Sequence, residues 1–438
     1  MTAARPEAPA CAVPGTPLAL AGAGIDACVH CGFCLQSCPT YLAMEDENDS
    51  PRGRIVLMRA VYEGTLSPDD ETVESHIGRC LGCRACETAC PSGVPYGRLL
   101  EATRATLAVR RPLPLMARAL LAVFARPALL RTAMRMARVA RGTRIAALAS
   151  RLPGRVGFAF AMLDATRVPV ARTPYDADSP PSRDRVALLE GCVMDGLYAE
   201  TNRATARVLT VNGFAVIGAP GQRCCGALHA HAGDLEGARA LARANIAAFE
   251  RSGADRVAVN SAGCGAMCKE YGHLLAGDPA WAERAAALSV RVRDVSELLV
   301  EAGPAPAGAA GTPVRVAYDA PCHLLHAQRV ADAPLRVLGA AGPVELVPLN
   351  GAEQCCGSAG IYGLLQPAIS RAVLEPKLRS IVEAGVALVA TGNPGCLMQI
   401  GAGLRKARIE ARVVHPVDLL DAAYARSGAD GVRGKARN

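Results

Sequence analysis

Two cysteine runs of identical spacing constrain this 438-residue chain more than any other feature. CVHCGFCLQSCP sets Cys28, Cys31, Cys34 and Cys38 at x2, x2, x3 spacing before Pro39, and CLGCRACETACP repeats the pattern with Cys80, Cys83, Cys86 and Cys90 before Pro91. Short tight turns aim three thiolates at one centre, and the proline bends the chain away so that the fourth sulfur reaches another. Structural zinc sites also use Cys-x2-Cys pairs, but two triplet-plus-one runs each closed by proline suit [4Fe-4S] cubanes better. The opening MTAARPEAPACAVPGTPLAL has no basic stretch followed by a continuous apolar one, so no secretory signal is expected. In a reducing cytosol, 18 cysteines in clusters read as metal ligands or redox groups before they read as disulfides.

Both runs match the pattern of bacterial two-cluster ferredoxins, in which the fourth cysteine ligates the other cluster. One [4Fe-4S] cluster is therefore expected on Cys28, Cys31, Cys34 and Cys90, and a second on Cys80, Cys83, Cys86 and Cys38. Between the runs, Ser50 and Pro51 are the cap and first turn of a helix, RGRIVLMRAVYE, that Gly64 stops. Ile55, Met58 and Tyr62 share one face of it, which is expected to pack on the cluster core. His30 and His76 read as neighbours or surface residues, and Arg52 and Arg54 as helix-surface or cluster-neighbouring charges.

Length suggests about three domains. The chain is 51% apolar and 20% charged, a globular composition, while 4% aromatic residues argue against stacking on single-stranded nucleic acid. The net charge of +8 is local: from Arg98 to Arg155 there are thirteen Arg, no Lys and one acid, Glu101. The rest of the chain is net acidic, so no nucleic-acid partner is indicated. This segment falls in a cysteine-free gap between Cys90 and Cys192 and reads as helical, interrupted at Pro112, Pro114, Pro127 and Pro153. Its amphipathic helices are expected to dock on partner subunits or anionic lipid, or to join the core. Its longest apolar run, Ala119 to Ala125, is far short of the roughly 20 residues of a membrane span. Thr173 to Asp184 reads as a loop.

After Arg185, short β-branched runs alternate with Ala-rich helical stretches, the pattern of βα units on parallel sheets. Strands are expected at Val186–Cys192, Phe214–Pro220, Arg256–Cys264, Val314–Cys322, Val344–Leu349 and Ala387–Cys396. The halves form a repeat: Cys192 matches Cys322, Cys224-Cys225-Gly226 matches Cys355-Cys356-Gly357, and Cys264 matches Cys396, at offsets of 130, 131 and 132. DVSELL and HPVDLL close the two halves. Right-handed crossovers put strand-to-helix loops on one edge, so Cys192, Cys224, Cys225 and Cys264 are expected to converge, with Cys268 nearby, and Cys322, Cys355, Cys356 and Cys396 form the second set. One additional iron–sulfur cluster is the expectation, with the first repeat as main donor because Met398 and Gln399 follow Cys396 where the first repeat offers Cys268. Buried free thiols are the plain alternative. No Gly-x-Gly-x-x-Gly follows a strand, so no dinucleotide site is evident. Lys269, Tyr271 and His273 read as a packed helix, and no catalytic residue is assigned.

The segments SPRGRIVLMRAVYEG, RCLGCRACETACPSGVPY, CCGALH, SAGCGAMCKEYGHLL, CCGSAGIY and NPGCLMQ make the chain resemble the CCG-domain redox subunits related to heterodisulfide reductase, and among them the iron-sulfur subunits of glycolate oxidase (glycolate dehydrogenase). The resemblance covers about Ile25 to Ala425. It implies a multidomain protein: a flexible N-terminus at 1–24, an α-helical 2x[4Fe-4S] ferredoxin-type domain at 25–100, an Arg-rich helical linker at 101–184, duplicated α/β CCG domains with parallel sheets at 185–305 and 313–426, and a flexible tail at 427–438. It also implies an electron-transfer subunit, inactive alone, that serves two flavoprotein subunits oxidising glycolate to glyoxylate and passes electrons towards quinone or another acceptor. The expected location is cytoplasmic, peripheral on the inner face of the cell membrane. Alternatives within the resemblance are heterodisulfide reductase-like thiol chemistry at a CCG cluster, or service to a lactate or glycerol-3-phosphate dehydrogenase.

Overall fold

The computed structural model describes residues 11–166, 183–307 and 312–427. The N-terminal module is helical. Its helix Pro51–Tyr62 starts where Ser50 Oγ accepts a hydrogen bond from the Gly53 N–H at 3.0 Å, with Pro51 in the first turn. Ile55, Met58 and Val61 then pack on Val73 and Ile77 of the helix Glu71–Arg79 and on Leu99 and Leu100 of the helix Tyr96–Arg110. Residues 11–24, expected to be flexible, instead form part of this core. Leu18, on the short helix Pro17–Leu20, is fully buried and its N–H donates to Thr106 Oγ1 at 3.0 Å. The apolar residues there found a partner face that the local sequence does not reveal. The expected boundary at residue 100 falls inside the helix Tyr96–Arg110.

The Arg-rich segment forms the helices Leu115–Ala125, Pro127–Gly142, Arg144–Ala149 and Gly154–Ala165. Pro127 opens the second of these, where its missing N–H costs nothing. The segment is no loose tether. Met134 and Ala137 pack on Met194 and Leu197 in the first repeat, and Asp164 pairs with Arg405 of the second at 2.8 Å. The expected loop Thr173–Asp184 lies outside the described residues except for its last two positions.

Each repeat is a four-stranded parallel sheet. In the first, β1 (Arg185–Leu188), β2 (Ala215–Ile217), β3 (Arg256–Val259) and β4 (Val292–Asp294) lie in the order β2-β1-β3-β4. In the second, β5 (Val314–Tyr318), β6 (Val344–Val347), β7 (Leu388–Ala390) and β8 (Arg412–Val414) lie in the order β6-β5-β7-β8. Register is equivalent in both, with Ala187 opposite Val257 and Ala317 opposite Val389. β4 and β8 were not expected from the sequence: VRD and RVV carry a charged residue within three and lack the apolar run that marks the other short strands. The other strands end earlier than expected: β1 stops at Leu188 and β5 at Tyr318, so Cys192 opens the helix Cys192–Leu197 and Cys322 caps the helical segment His323–Ala327, both beyond the strand ends. The repeats share a core of Val295, Leu298, Val337, Val417 and Leu420. Arg207 grips Asp421 through two hydrogen bonds of 2.9 and 2.6 Å, and His415 Nε2 meets the Asn260 carbonyl at 3.0 Å, so the cysteine-bearing edges face each other.

Candidate metal centres

The first eight cysteines fall into two groups. Cys28, Cys31, Cys34 and Cys90 surround one small pocket, with Cys86 on its inner wall. Positive φ at Gly32 (86°) and His30 (55°) turns the loop that carries the first three. Burial pushes the Cys34 thiol up to about 11, against amide hydrogen bonds that lower it, and neighbouring Cys28 and Cys38 add to the rise. Cys38, Cys80, Cys83 and Cys86 are all buried. Burial raises Cys83 and Cys86 well above the usual thiol range, and each feels Cys38 and Cys80 among its neighbours. Cys38 thus sits with the second triplet and Cys90 with the first, the grouping that crossed ligation requires. Thiols this crowded and dry resist losing their protons to water, whereas a soft cation that replaces those protons is stabilised by all of them. The donor set fits iron–sulfur clusters.

A polar hub not foreseen from the sequence lies against the second group. Arg54 is fully buried. It donates to the His76 carbonyl at 2.7 Å, Thr40 Oγ1 at 3.0 Å and Asp49 at 3.1 Å, and its Nη1 stands 3.9 Å from Cys38 Sγ. Arg54 therefore neighbours the cluster site, whereas Arg52 stays at the surface, paired with Glu47. His76 is buried, 3.0 Å from Asp49, and Arg79 also binds that carboxylate at 3.1 Å. Asp46, Asp49 and His76 lie close enough to share a cation, but three donors already occupy Asp49. Tyr96 donates to Cys80 Sγ at 3.7 Å, as does the Gly82 N–H at 3.4 Å.

The later cysteines line one cavity of about 370 Å³, four from each repeat: Cys192, Cys224, Cys225 and Cys264 with Cys322, Cys355, Cys356 and Cys396. The vicinal pairs owe their geometry to the glycine that follows. Gly226 and Gly357 have φ of 92° and 83°, and a Cβ on Gly357 would lie 2.5 Å from the Ser370 carbonyl. In this left-handed turn the Gly357 N–H points back to Cys355 Sγ at 3.4 Å. Cys192 donates to Cys224 at 3.5 Å, which raises the first thiol and holds the second well below the usual range. Cys356 and Cys396 are 3.2 Å apart. Cys322 accepts stabilisation from Cys355, yet burial leaves its thiol raised to about 11.

Two expectations need correction here. Cys268 stands one helical turn beyond Cys264 on the same face of the helix Ala262–Lys269, near Cys264 and Cys224, but there it is buried among core residues beside Tyr271 and does not line the cavity. The first repeat is accordingly not the richer donor; the wall is shared evenly. Lys269 pairs with Glu297 and Tyr271 is fully buried, the packed helix that was expected. Sequence reasoning missed His323, Ser358, Asn393 and Gln399 in the cavity wall. It also missed Lys377, buried at 2.6 Å from Asp319: burial opposes its charge, but the carboxylate holds it protonated. Only the tertiary contacts single these residues out.

The second N-terminal thiol group abuts this cavity. Cys83 packs in one cluster with Leu81, Cys322, Cys355 and Tyr362, and Cys355 adds to the rise that burial imposes on the Cys83 thiol. Tyr362 donates to the Arg79 carbonyl at 2.7 Å, and Arg104 bridges the Cys80 and His231 carbonyls at 2.6 and 2.7 Å. The three thiol sets are therefore contiguous, from exposed Cys31 to the cavity.

Family models match a 4Fe-4S dicluster domain over residues 24–94 and a Cysteine-rich domain over 186–269 and 316–401. The chain is 38% identical to the probable glycolate oxidase iron-sulfur subunit of Bacillus subtilis (strain 168), over 90% of this chain and 92% of that one. It is 36% identical to the glycolate oxidase iron-sulfur subunit of Escherichia coli (strain K12), over 91% and 93%. Lactate utilization protein A of Geobacillus kaustophilus (strain HTA426) is 32% identical over 54% of this chain and 99% of its own.

Proposed function

Because the chain belongs to the family of glycolate oxidase iron-sulfur subunits, we propose that it receives electrons from two flavoprotein subunits that oxidise glycolate to glyoxylate and passes them towards a membrane quinone. The observation that carries this reading is the contiguity of the three thiol sets through Cys83, Cys322 and Cys355. Cys28, Cys31, Cys34 and Cys90 would hold one [4Fe-4S] cluster, Cys80, Cys83, Cys86 and Cys38 a second, and the cavity cysteines a further one. Bound there, the clusters supply one-electron acceptance and release. The chain's own residues exclude water from the second set, hold Arg54 and the Tyr96 hydroxyl against its sulfurs, and fix the spacing through Tyr362 and Arg104. Among the described residues no helix is long and apolar enough to cross a membrane. Exposed arginines of the linker helices, Arg118, Arg131 and Arg135 among them, supply a basic surface for peripheral contact with anionic lipid on the inner face of the cell membrane.

The test is co-purification of the native complex and a screen of 2-hydroxy acids with dye and quinone acceptors. The expected outcome is glycolate oxidation by the complex and none by this chain alone. Turnover by the pure chain, or a complex without flavin, would overturn the assignment.

A further inference from the structure

The two repeats meet one structural need with different chemistry. The helix Leu235–Ser252 of the first and Pro367–Ala384 of the second both have 18 residues, and the same position along them holds Asn245 in one and Lys377 in the other, each buried. Both side chains tie down the chain that leads into a Cys-Cys-Gly turn. Asn245 does so as a neutral amide, accepting from the Arg223 N–H at 2.7 Å and donating to the Cys224 carbonyl at 3.0 Å. Lys377 donates to the Gly351 carbonyl at 2.6 Å and to the Ala352 carbonyl at 3.2 Å. Its charge is met by Asp319 at 2.6 Å, with 2% of either side chain exposed, and Thr391 Oγ1 donates to the same carboxylate at 3.1 Å. Asp319 follows β5 where Leu189 follows β1: their N–H groups make the same 2.9 Å bond across the sheet, to the Ala390 and Ala258 carbonyls.

Two charges taken out of water cost more than neutral residues of similar size, and the first repeat builds the same sheet and turn with Leu189 and Asn245. The fold therefore does not need the pair. What the pair does reach is the thiol wall. Hydrogen bonds between neighbouring thiols, with burial, raise Cys356 and Cys396, and the Asp319 carboxylate adds to both. Burial opposes the Lys377 charge, while Asp319 and then Cys356 and Cys396 support it.

We infer that Asp319 and Lys377 are positioning residues for electron transfer, a fixed charge pair that sets the reduction potential of the cluster held by the cavity cysteines and acts on it from the second repeat alone. The inference rests on the reading that these cysteines hold a cluster, and adds to it the residues that tune it. An added electron places negative charge beside Cys356 and Cys396, which the Lys377 ammonium stabilises and the Asp319 carboxylate opposes. No proton moves and no bond is made. Pairing holds the potential between the values that either charge would give alone. The pair also belongs to the repeat that the electron reaches first, because Cys83 packs on Cys322 and Cys355.

The test is EPR-monitored redox titration of the full chain with its clusters reconstituted anaerobically. The variants are Lys377→Asn, Asp319→Asn and the double variant Asp319→Leu/Lys377→Asn, which gives the second repeat the residues of the first. In Lys377→Asn the equilibrium constant for one-electron reduction of the cavity cluster should fall at least tenfold, about 59 mV. In Asp319→Asn it should rise at least tenfold, and the double variant should lie between the two. The midpoints of the two ferredoxin-type clusters should not move. Loosened packing alone would not shift the two single variants in opposite directions. If Lys377→Asn loses iron, Asp319→Asn decides the matter, since its amide oxygen still accepts from Thr391 and Lys377. An unshifted cavity midpoint in the single variants that keep their iron, or shifts of one sign in both, would overturn the inference and spare the cluster reading. A wild type with iron for two cubanes only would bring down both.

Discussion

Arg54 shows how one buried side chain separates two otherwise similar cluster sites. Its guanidinium is fully buried beside Cys38, with Tyr96 and Gly82 donating to Cys80. The first set has an exposed Cys31, and its flanking Val29 and Phe33 are 66% and 69% exposed. Positive charge and donors near sulfur favour the reduced cluster, so the second site should have the higher potential and draw electrons inward. Arg54→Met should lower that cluster's midpoint by on the order of 50 mV, about 1 kcal/mol for one electron, and Arg54→Lys by less. Potentiometric EPR at unchanged iron content reads this, and an unshifted midpoint in Arg54→Met would remove Arg54 from the account. SPRGRI was conspicuous in the sequence, but nothing local told the surface Arg52 from the buried Arg54. Helical phase relative to Asp49 and His76 decides it.

Among the elements, the helix Val295–Ala302 carries a pH-sensitive cap. Asp294 accepts from the Ser296 N–H at 2.9 Å and Glu297 reaches back to the Asp294 N–H at 2.8 Å, a complete capping box. Burial nonetheless raises the Asp294 carboxyl to about 6, against the lowering effect of Ser296. A carboxyl raised on folding contributes stability below its unfolded pKa of about 3.9 and loses it as pH rises through about 6. That loss is at most about 3 kcal/mol. Asp294→Asn keeps the cap acceptor and should flatten the fall in urea midpoint between about pH 4 and 6. An identical pH profile in the variant would show that Asp294 ionises normally. The linker helices teach a complementary point. Their prolines mark the breaks correctly, yet which faces point outward depends on the repeats they cross.

Over the whole molecule, the duplication is near-symmetric at the cavity and asymmetric just behind it. Asn245 of the first repeat donates to the Cys224 carbonyl and to Tyr271, both at 3.0 Å. Its counterpart in the second is Lys377, paired with Asp319. The thiols themselves are shared evenly, so Cys224→Ser/Cys225→Ser and Cys355→Ser/Cys356→Ser should each remove about the same iron beyond the eight atoms of two cubanes. Quantitation of iron and sulfide after anaerobic purification checks this. Loss in the first double variant alone would return the main donor role to the first repeat, and loss in neither would leave these cysteines as structural thiols.

The cysteine spacings, the Cys-Cys-Gly triplets and the matched offsets of the repeat were determined by sequence alone, because each is a matter of which residues stand at which positions along the chain. Most strands were equally legible from their β-branched runs. Only the tertiary structure decided that both repeats face one cavity, that Cys268 turns into the core, that residues 11–24 join the N-terminal module, and that Cys83 abuts Cys355. These facts depend on the angle between elements far apart in the chain. That angle is set by the sum of many weak packing contacts, to which no short stretch of sequence gives access.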